Sequence, residues 1–265
     1  MTFQPIVPMG GYAGWRFLQR TMPAQQAAFE RSPQMSRDIS YFEEKIGDIT
    51  SAEMLVADRR LLNVALGAFG LDDDINNRFF IRKVLEDGSQ ESDALANRMA
   101  DKRYLHLSKA FGFGDFDTPN TQLSDFADEI IANYKTRQFE RAIGAQNENM
   151  RLAMNMLREL SDLAAEDSSD ETKWFSIMGS KPLRAALETA LGLPSEFAAL
   201  DIDRQLEVFR TKSAKAFGTT EASQLASPET QDKLLRLFLA RSEALAMPAH
   251  LTGATTALAL LQAGR

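Results

Sequence analysis

Hydrophobic residues recur at helical spacing along most of the chain, and the clearest case is the stretch from Asp58 to Leu71. Its apolar side chains fall at i, i+3, i+4, i+7 and i+8, on one face of a helix: Leu61, Val64, Ala65, Ala68 and Phe69. Gly70 then supplies a residue that adopts the left-handed conformation without a Cβ penalty. The stretch therefore predicts an amphipathic helix that ends at a glycine.

Three further stretches repeat this pattern of an apolar helical face followed by a glycine. One spans Leu183 to Leu193 and has its glycine at Gly192, and the other two have theirs at Gly112 and Gly218. The last copy departs from the pattern, because a threonine follows its glycine. Since repeats are recognised by ordered self-similarity, the copies indicate a duplication that pairs Gly70 with Gly192 and Gly112 with Gly218. Leu61 and Leu183 are then expected at equivalent buried positions.

The predicted fold is all-α and multihelical, because no segment shows a convincing strand alternation. The repeats make it internally duplicated, with pseudo-two-fold related halves. The predicted segments are an irregular N-terminal arm (1–14), a first helical repeat (15–119), a bridging helix or helices (120–165), a second, diverged helical repeat (166–246) and a C-terminal tail (247–265).

Several local expectations accompany this division. Trp15 begins a helix that Pro23 restarts, since proline suits a first turn. Thr50-Ser-Ala-Glu53 is a capping-box pattern that opens the central helix. Residues 93–111 form one helix. Phe79 belongs to the apolar side of another helix, together with Ile75 and Leu85.

Composition limits the possible classes of protein without choosing a function. The 265 residues are 44% hydrophobic and 25% charged, which is typical of a globular domain with a sizeable core. A net charge of -7 argues against a nucleic-acid-binding surface. The absence of cysteine excludes disulfides and thiolate metal sites. No membrane span or signal peptide is apparent, so a cytoplasmic location is expected, and export by the flagellar apparatus would require no such signal.

No residue set in the sequence makes a catalytic, cofactor or metal site. Asp72-Asp-Asp74 begins like a calcium loop, but Asn77 and Lys83 stand where the loop needs glycine and glutamate, so a helix start is favoured. His106 and His250, the two histidines, have no partners that sequence can assign. Gly112-Phe-Gly114 lacks the third glycine and the preceding strand of a dinucleotide motif.

A family resemblance emerges from the order of several short motifs: Trp15-Arg-Phe17, Arg37-Asp-Ile-Ser-Tyr-Phe42, Ala57-Asp-Arg-Arg-Leu61, Ala68-Phe-Gly-Leu71, Asp101-Lys-Arg-Tyr104 and Ala110-Phe-Gly-Phe113. Together they resemble an uncharacterised family of bacterial proteins, domain of unknown function 1217, most closely over residues 15–113. The resemblance implies a helical protein whose genes often lie among flagellar genes. It implies no catalytic residues.

Two hypotheses follow. The first is a non-enzymatic helical interaction protein associated with bacterial flagellar assembly or its regulation, with a protein partner that is a flagellar component. The alternative is a small-molecule-binding protein or enzyme with a site between the two helical halves. Its charged groups would come from the repeat openings: Asp58, Arg59, Asp101 and Arg103. Helix capping and surface ion pairs are the favoured roles of these four residues.

Overall fold

A computed structural model describes residues 3–246, and within this range the secondary structure is helical, with no strand. The all-α prediction is therefore confirmed. The α-helices are α1 (Gly11–Glu30), α2 (Pro33–Lys45), α3 (Ala52–Ala57), α4 (Arg59–Phe69), α5 (Arg78–Asp87), α6 (Leu95–Arg98), α7 (Arg103–Phe111), α8 (Phe126–Gly144), α9 (Glu148–Ala165), α10 (Asp170–Gly179), α11 (Lys181–Leu191), α12 (Ile202–Phe217) and α13 (Pro228–Ala246). The predicted tail and His250 lie outside the described residues.

The chain divides into two compact units. Within the described residues, unit 1 comprises residues 3–7, 18–151 and 176–181, and unit 2 comprises residues 8–17, 152–175 and 182–246. The predicted segment 120–165 contains two helices, α8 and α9, separated by a short break. The assignment of the predicted segments to two duplicated halves stays a prediction.

Helix α4 lies at the centre of the core of unit 1, where it packs against α2 and α8. Asp58 caps its first turn, and its apolar face, including Leu61, is buried. Gly70, at φ 69°, ends the helix. The N–H of Gly70 donates to the Gly67 carbonyl (3.3 Å) and that of Leu71 to the Leu66 carbonyl (2.9 Å). These two hydrogen bonds define a Schellman ending at the predicted glycine.

Helix α11, in the second predicted repeat, ends in the same way. Gly192 has φ 64°, and the N–H groups of Gly192 and Leu193 donate to the carbonyls of Thr189 (3.1 Å) and Glu188 (2.9 Å). Leu183 is fully buried, as expected for the position paired with Leu61. The positive φ values and the burial of both leucines are confirmed.

The helices α7 and α12 end with a different hydrogen-bond pattern. Gly112 (φ 67°) and Gly218 (φ 80°) each donate one N–H bond, to the carbonyls of Ser108 and Ala214, both at 2.9 Å. This is the simpler left-handed ending. The two kinds of ending therefore group the four glycines into the pairs that the sequence pattern proposed.

Three local expectations were wrong. Helix α1 begins at Gly11 and continues through Pro23 without a restart. Residues 93–111 form two helices, α6 and α7, instead of one. The cap at the start of α3 is Ser51, whose hydroxyl accepts the N–H of Met54 (3.3 Å), and α3 is separate from α4 because Asp58 adopts an extended backbone between them.

Phe79 also departs from its prediction, because 83% of its surface is exposed. Helix α5 begins only at Arg78, and its buried residues are Ile81, Val84 and Leu85. At about 100° per residue, Phe79 points roughly opposite to Ile81. The prediction failed because it extended the helix back to Ile75, which lies in the preceding turn.

Candidate functional site

Asp58, the first of the proposed site residues, is occupied in fixing local structure. Its carboxylate accepts the backbone N–H groups of Arg60 (2.8 Å) and Leu61 (3.1 Å) and the hydroxyl of Tyr41 (2.6 Å). Burial alone would raise the pKa of Asp58, but these hydrogen bonds lower it below its ordinary value. The ionised group therefore acts as a helix cap and joins α4 to α2.

Asp101 and Arg103 form a second polar group. The guanidinium of Arg103 pairs with the carboxylate of Asp101 (2.7 Å) and also donates to the carbonyl of Gly70, at the end of α4. Burial alone would raise the pKa of Asp101, but the hydrogen bonds and charge of Arg103, with a contribution from Lys181, lower it. A cation at a helix C-terminus also compensates the negative end of the helix dipole.

The structure does not bring the four proposed residues into one site. Asp58 lies at the start of α4 and Arg103 at its end, and the eleven residues between them span about 16 Å at ~1.5 Å per residue. Arg59 donates instead to the side chain of Asn76 (3.2 Å). These residues organise two ends of a helix and share no common reaction centre.

The aspartates that resembled a calcium loop have other partners. Asp72 accepts hydrogen bonds from Gln138 (2.6 Å) and Arg141 (2.7 Å), and Asp74 accepts the hydroxyl of Tyr104 (2.7 Å). Within residues 3–246, no group of three or more acidic, histidine or cysteine side chains is arranged to hold a metal ion. The Asp72–Asp74 segment forms a 3₁₀ turn that is tied to α7 and α8.

In the glycine-containing loop after α7, the carboxylate of Asp115 binds a group of hydrogen-bond donors from a neighbouring loop. Asp115 accepts the backbone N–H groups of Ser89 (2.6 Å) and Gln90 (3.1 Å) and the hydroxyl of Ser89 (2.8 Å). These donors are of the kind that would bind a phosphate. Here they hold a carboxylate and join two loops. His106, on α7, is exposed.

Helices α3 and α5, which pack against each other in unit 1, carry exposed apolar side chains. We call this surface the α3–α5 patch, and it consists of Glu53, Met54, Phe79 and Arg82. Phe79 is 83% exposed and Met54 is 41% exposed. The buried faces of the two helices point into the core, so these apolar side chains occupy the opposite, outer faces.

An ion pair connects the two helices across this patch. The guanidinium of Arg82 lies 3.5 Å from the carboxylate of Glu53 and 2.6 Å from that of Glu86. Phe79 is one turn before Arg82 and therefore lies on the same side of α5. Met54, which follows Glu53 in α3, is also exposed. An exposed aromatic ring with adjacent charged groups is the composition of a protein-binding hot spot and its rim.

Comparison with known proteins places this architecture in a family. The family described as "Protein of unknown function (DUF1217)" matches residues 68–240, which is more than half of the chain. The chain belongs to the DUF1217 family. The match includes only the last part of residues 15–113, where the sequence motifs are most similar, and it extends through most of the second predicted repeat.

The fold of this DUF1217 protein is shared by a solved structure. The X-ray crystal structure of protein AGR_C_984 from Agrobacterium tumefaciens has a TM-score of 0.74 and 26% sequence identity, and the alignment covers 92% of this chain and 100% of that one. No curated protein matches the sequence. In the described part of this DUF1217 protein, no helix is both long and apolar enough to cross a bilayer.

Sequence reasoning anticipated the capping roles and missed the patch. Capping and ion pairing, the roles that the sequence favours for the carboxylates that begin α4 and precede α7, agree with the contacts these carboxylates make. Phe79 was assigned to an apolar face. The spacing of Ile81, Val84 and Leu85 is the signal that could have corrected this, because it defines a buried face that excludes residue 79.

Proposed function

We propose that the chain is a non-enzymatic helical interaction protein that binds its partner through the α3–α5 patch. The observation that carries the proposal is the exposure of Phe79. Leaving a phenylalanine in water forgoes roughly 1.5–3 kcal/mol of hydrophobic stabilisation, which a partner could recover by covering the ring. Aromatic side chains of this kind dominate the binding energy of many interfaces.

The polar residues support the same proposal. Asp58, Asp72, Asp101 and Asp115 all accept hydrogen bonds from the backbone or side chains that they hold in place. Such contacts build a rigid scaffold, and an interaction protein requires nothing further from them. Rigid helices then present the patch without a large ordering cost on binding.

The proposed process is flagellar assembly or its regulation, and the proposed partner is a flagellar component. This part rests on the gene context that the family resemblance implies. The proposed location is the cytoplasm, where such a partner is made, with export through the flagellar apparatus as a later step that this role allows.

A deletion and complementation experiment tests the proposal. Deleting the gene is expected to reduce swimming and filament formation, and the intact gene should restore both. Phe79→Ser should fail to restore them although the protein accumulates normally, because an exposed side chain contributes little to stability. Phe116→Ser, which changes an exposed phenylalanine in the loop after α7, is the matched control and should restore motility.

The two possible failures have different meanings. Normal motility of the deletion strain would contradict the flagellar role. Full restoration by Phe79→Ser would contradict the assignment of the α3–α5 patch as the binding surface, but it would not contradict the flagellar role.

A further inference from the structure

Helix α12, in unit 2, carries a shallow groove of ≈ 400 Å³ along one face. Six of its lining residues lie on the helix at i, i+3, i+4, i+7, i+8 and i+11, and the seventh follows it: Asp203, Leu206, Glu207, Arg210, Thr211, Ala214 and Thr220. This spacing is a continuous stripe about 16 Å long at ~1.5 Å per residue. We call it the α12 groove. Its open, elongated form suits a helix lying on the surface better than an enclosed metabolite.

The floor of the α12 groove is apolar and rigidly supported. Leu206 is buried, and the next core residue of the helix, Phe209, stacks on Trp174 with ring centroids 5.9 Å apart. The indole N–H of Trp174 donates to the carbonyl of Thr220 at the far end (2.9 Å). Ile202, the first residue of α12, is exposed.

Charge is distributed unevenly along the groove. Arg210 is compensated by the carboxylate of Asp170 (3.0 Å), which also accepts the backbone N–H of Ala222 (2.6 Å). The start of the helix carries three carboxylates, those of Asp201, Asp203 and Glu207, and one guanidinium, that of Arg204, which pairs with Glu207. The end of the groove near Asp203 is therefore net negative.

We propose that the α12 groove binds a basic amphipathic helix of a protein partner. Apolar side chains of that helix would cover Leu206 and Ala214, and its lysines or arginines would face Asp203 and Glu207. Recognition of an amphipathic helix by an apolar groove with a complementary rim is a common mode of peptide binding. The proposal is independent of the α3–α5 patch and of the flagellar role.

The test uses the full chain and a synthetic peptide of leucine and lysine. The peptide is about 15 residues long, enough to cover the groove at ~1.5 Å per residue, with its leucines on one helical face. Its binding is measured by fluorescence anisotropy. Ala214→Arg fills the groove with a bulky cation and is expected to weaken binding at least about tenfold, which corresponds to ~1.4 kcal/mol. Ala216→Arg, at an exposed site on the same helix, should change affinity by less than about twofold.

A second pair of variants tests the charge and does not depend on the folding of Ala214→Arg. Asp203→Asn with Glu207→Gln should weaken binding and its salt dependence, whereas Asp128→Asn with Glu129→Gln, two exposed carboxylates of α8, should not. A peptide of leucine and glutamate should not bind. Equal losses in both pairs, or equal binding of the acidic peptide, would overturn the proposal.

Other occupants would also overturn it. If the wild-type chain binds no peptide and is a dimer that Ala214→Arg converts to a monomer, the groove belongs to a contact between copies. If binding appears only after Leu258→Asp and Leu261→Asp are introduced, residues 247–265 compete for the groove. Absence of binding in every case would show that the groove is not a docking site.

Discussion

Asp101 is a partly buried carboxyl whose ionised form is held by Arg103 and Lys181. Because its pKa is lower in the folded chain than in the unfolded one, it stabilises the fold above the unfolded pKa, about 3.9. That contribution is lost as the pH falls through the lower, folded pKa.

Asp101→Asn should therefore destabilise the chain at neutral pH, and the difference from wild type should shrink below about pH 4. The measurement is the urea unfolding midpoint as a function of pH. Asp93→Asn, in the exposed loop before α6, is the control and should change the midpoint little, because an exposed side chain contributes little to stability. A constant difference for Asp101→Asn would mean that the side chain acts by packing.

The roles of single residues were only partly predictable. A carboxylate before a helical face predicts a cap, because the exposed N–H groups of the first turn are local to the sequence. The contact of Arg103 with the Gly70 carbonyl was not predictable, since it joins residues 33 apart and depends on how α4 and α7 pack. Phe79 was missed because the helix boundary was placed too early.

The glycine endings of α4 and α11 provide the next test. Gly70 and Gly192 have φ values of 69° and 64°, where a side chain adds roughly 1–2 kcal/mol of strain. Gly70→Ala and Gly192→Ala should each lower the free energy of unfolding by about that amount. Gly47→Ala is the control, because a Cβ at Gly47 meets no atom within 4 Å and its φ is not positive. An equal loss at Gly47 would contradict the special role of the two endings.

Helices with a periodic apolar face and a terminal glycine were the most predictable elements. Both signals are local, so α4 and α11 have the predicted ends. Boundaries that depend on tertiary context were less predictable. Pro23 predicts a restart, yet α1 continues through it, and Asp58 separates α3 from α4 where the capping-box pattern predicts one helix.

At the level of the complete chain, two observations bear on duplication. Schellman endings occur at Gly70 and Gly192, and single-bond endings occur at Gly112 and Gly218. This is the pairing that the sequence predicts. Superposition of α4 and α11 with the helices that follow each of them remains the direct test of common origin, and the pseudo-two-fold relation of the halves stays a prediction.

The all-α class was predictable because periodicity, composition and glycine placement agree along the chain. The function was not predictable from the sequence. No motif indicates a reaction, and the position of the candidate surface depends on which side of α5 faces the core. Family membership and the similarity to protein AGR_C_984 support the fold. The α3–α5 patch is the feature of the fold on which the proposed binding of a protein partner rests.

Photo-crosslinking at position 79 tests that hypothesis most directly. Phe79 is replaced by p-benzoylphenylalanine in the full chain inside the bacterium, and crosslinked species are identified by mass spectrometry. The same replacement at Phe116, another exposed phenylalanine of unit 1, is the control. We expect position 79, and not position 116, to yield a defined adduct with a flagellar protein. No adduct at position 79, or the same adduct from both positions, would contradict the assignment of the α3–α5 patch as the binding surface.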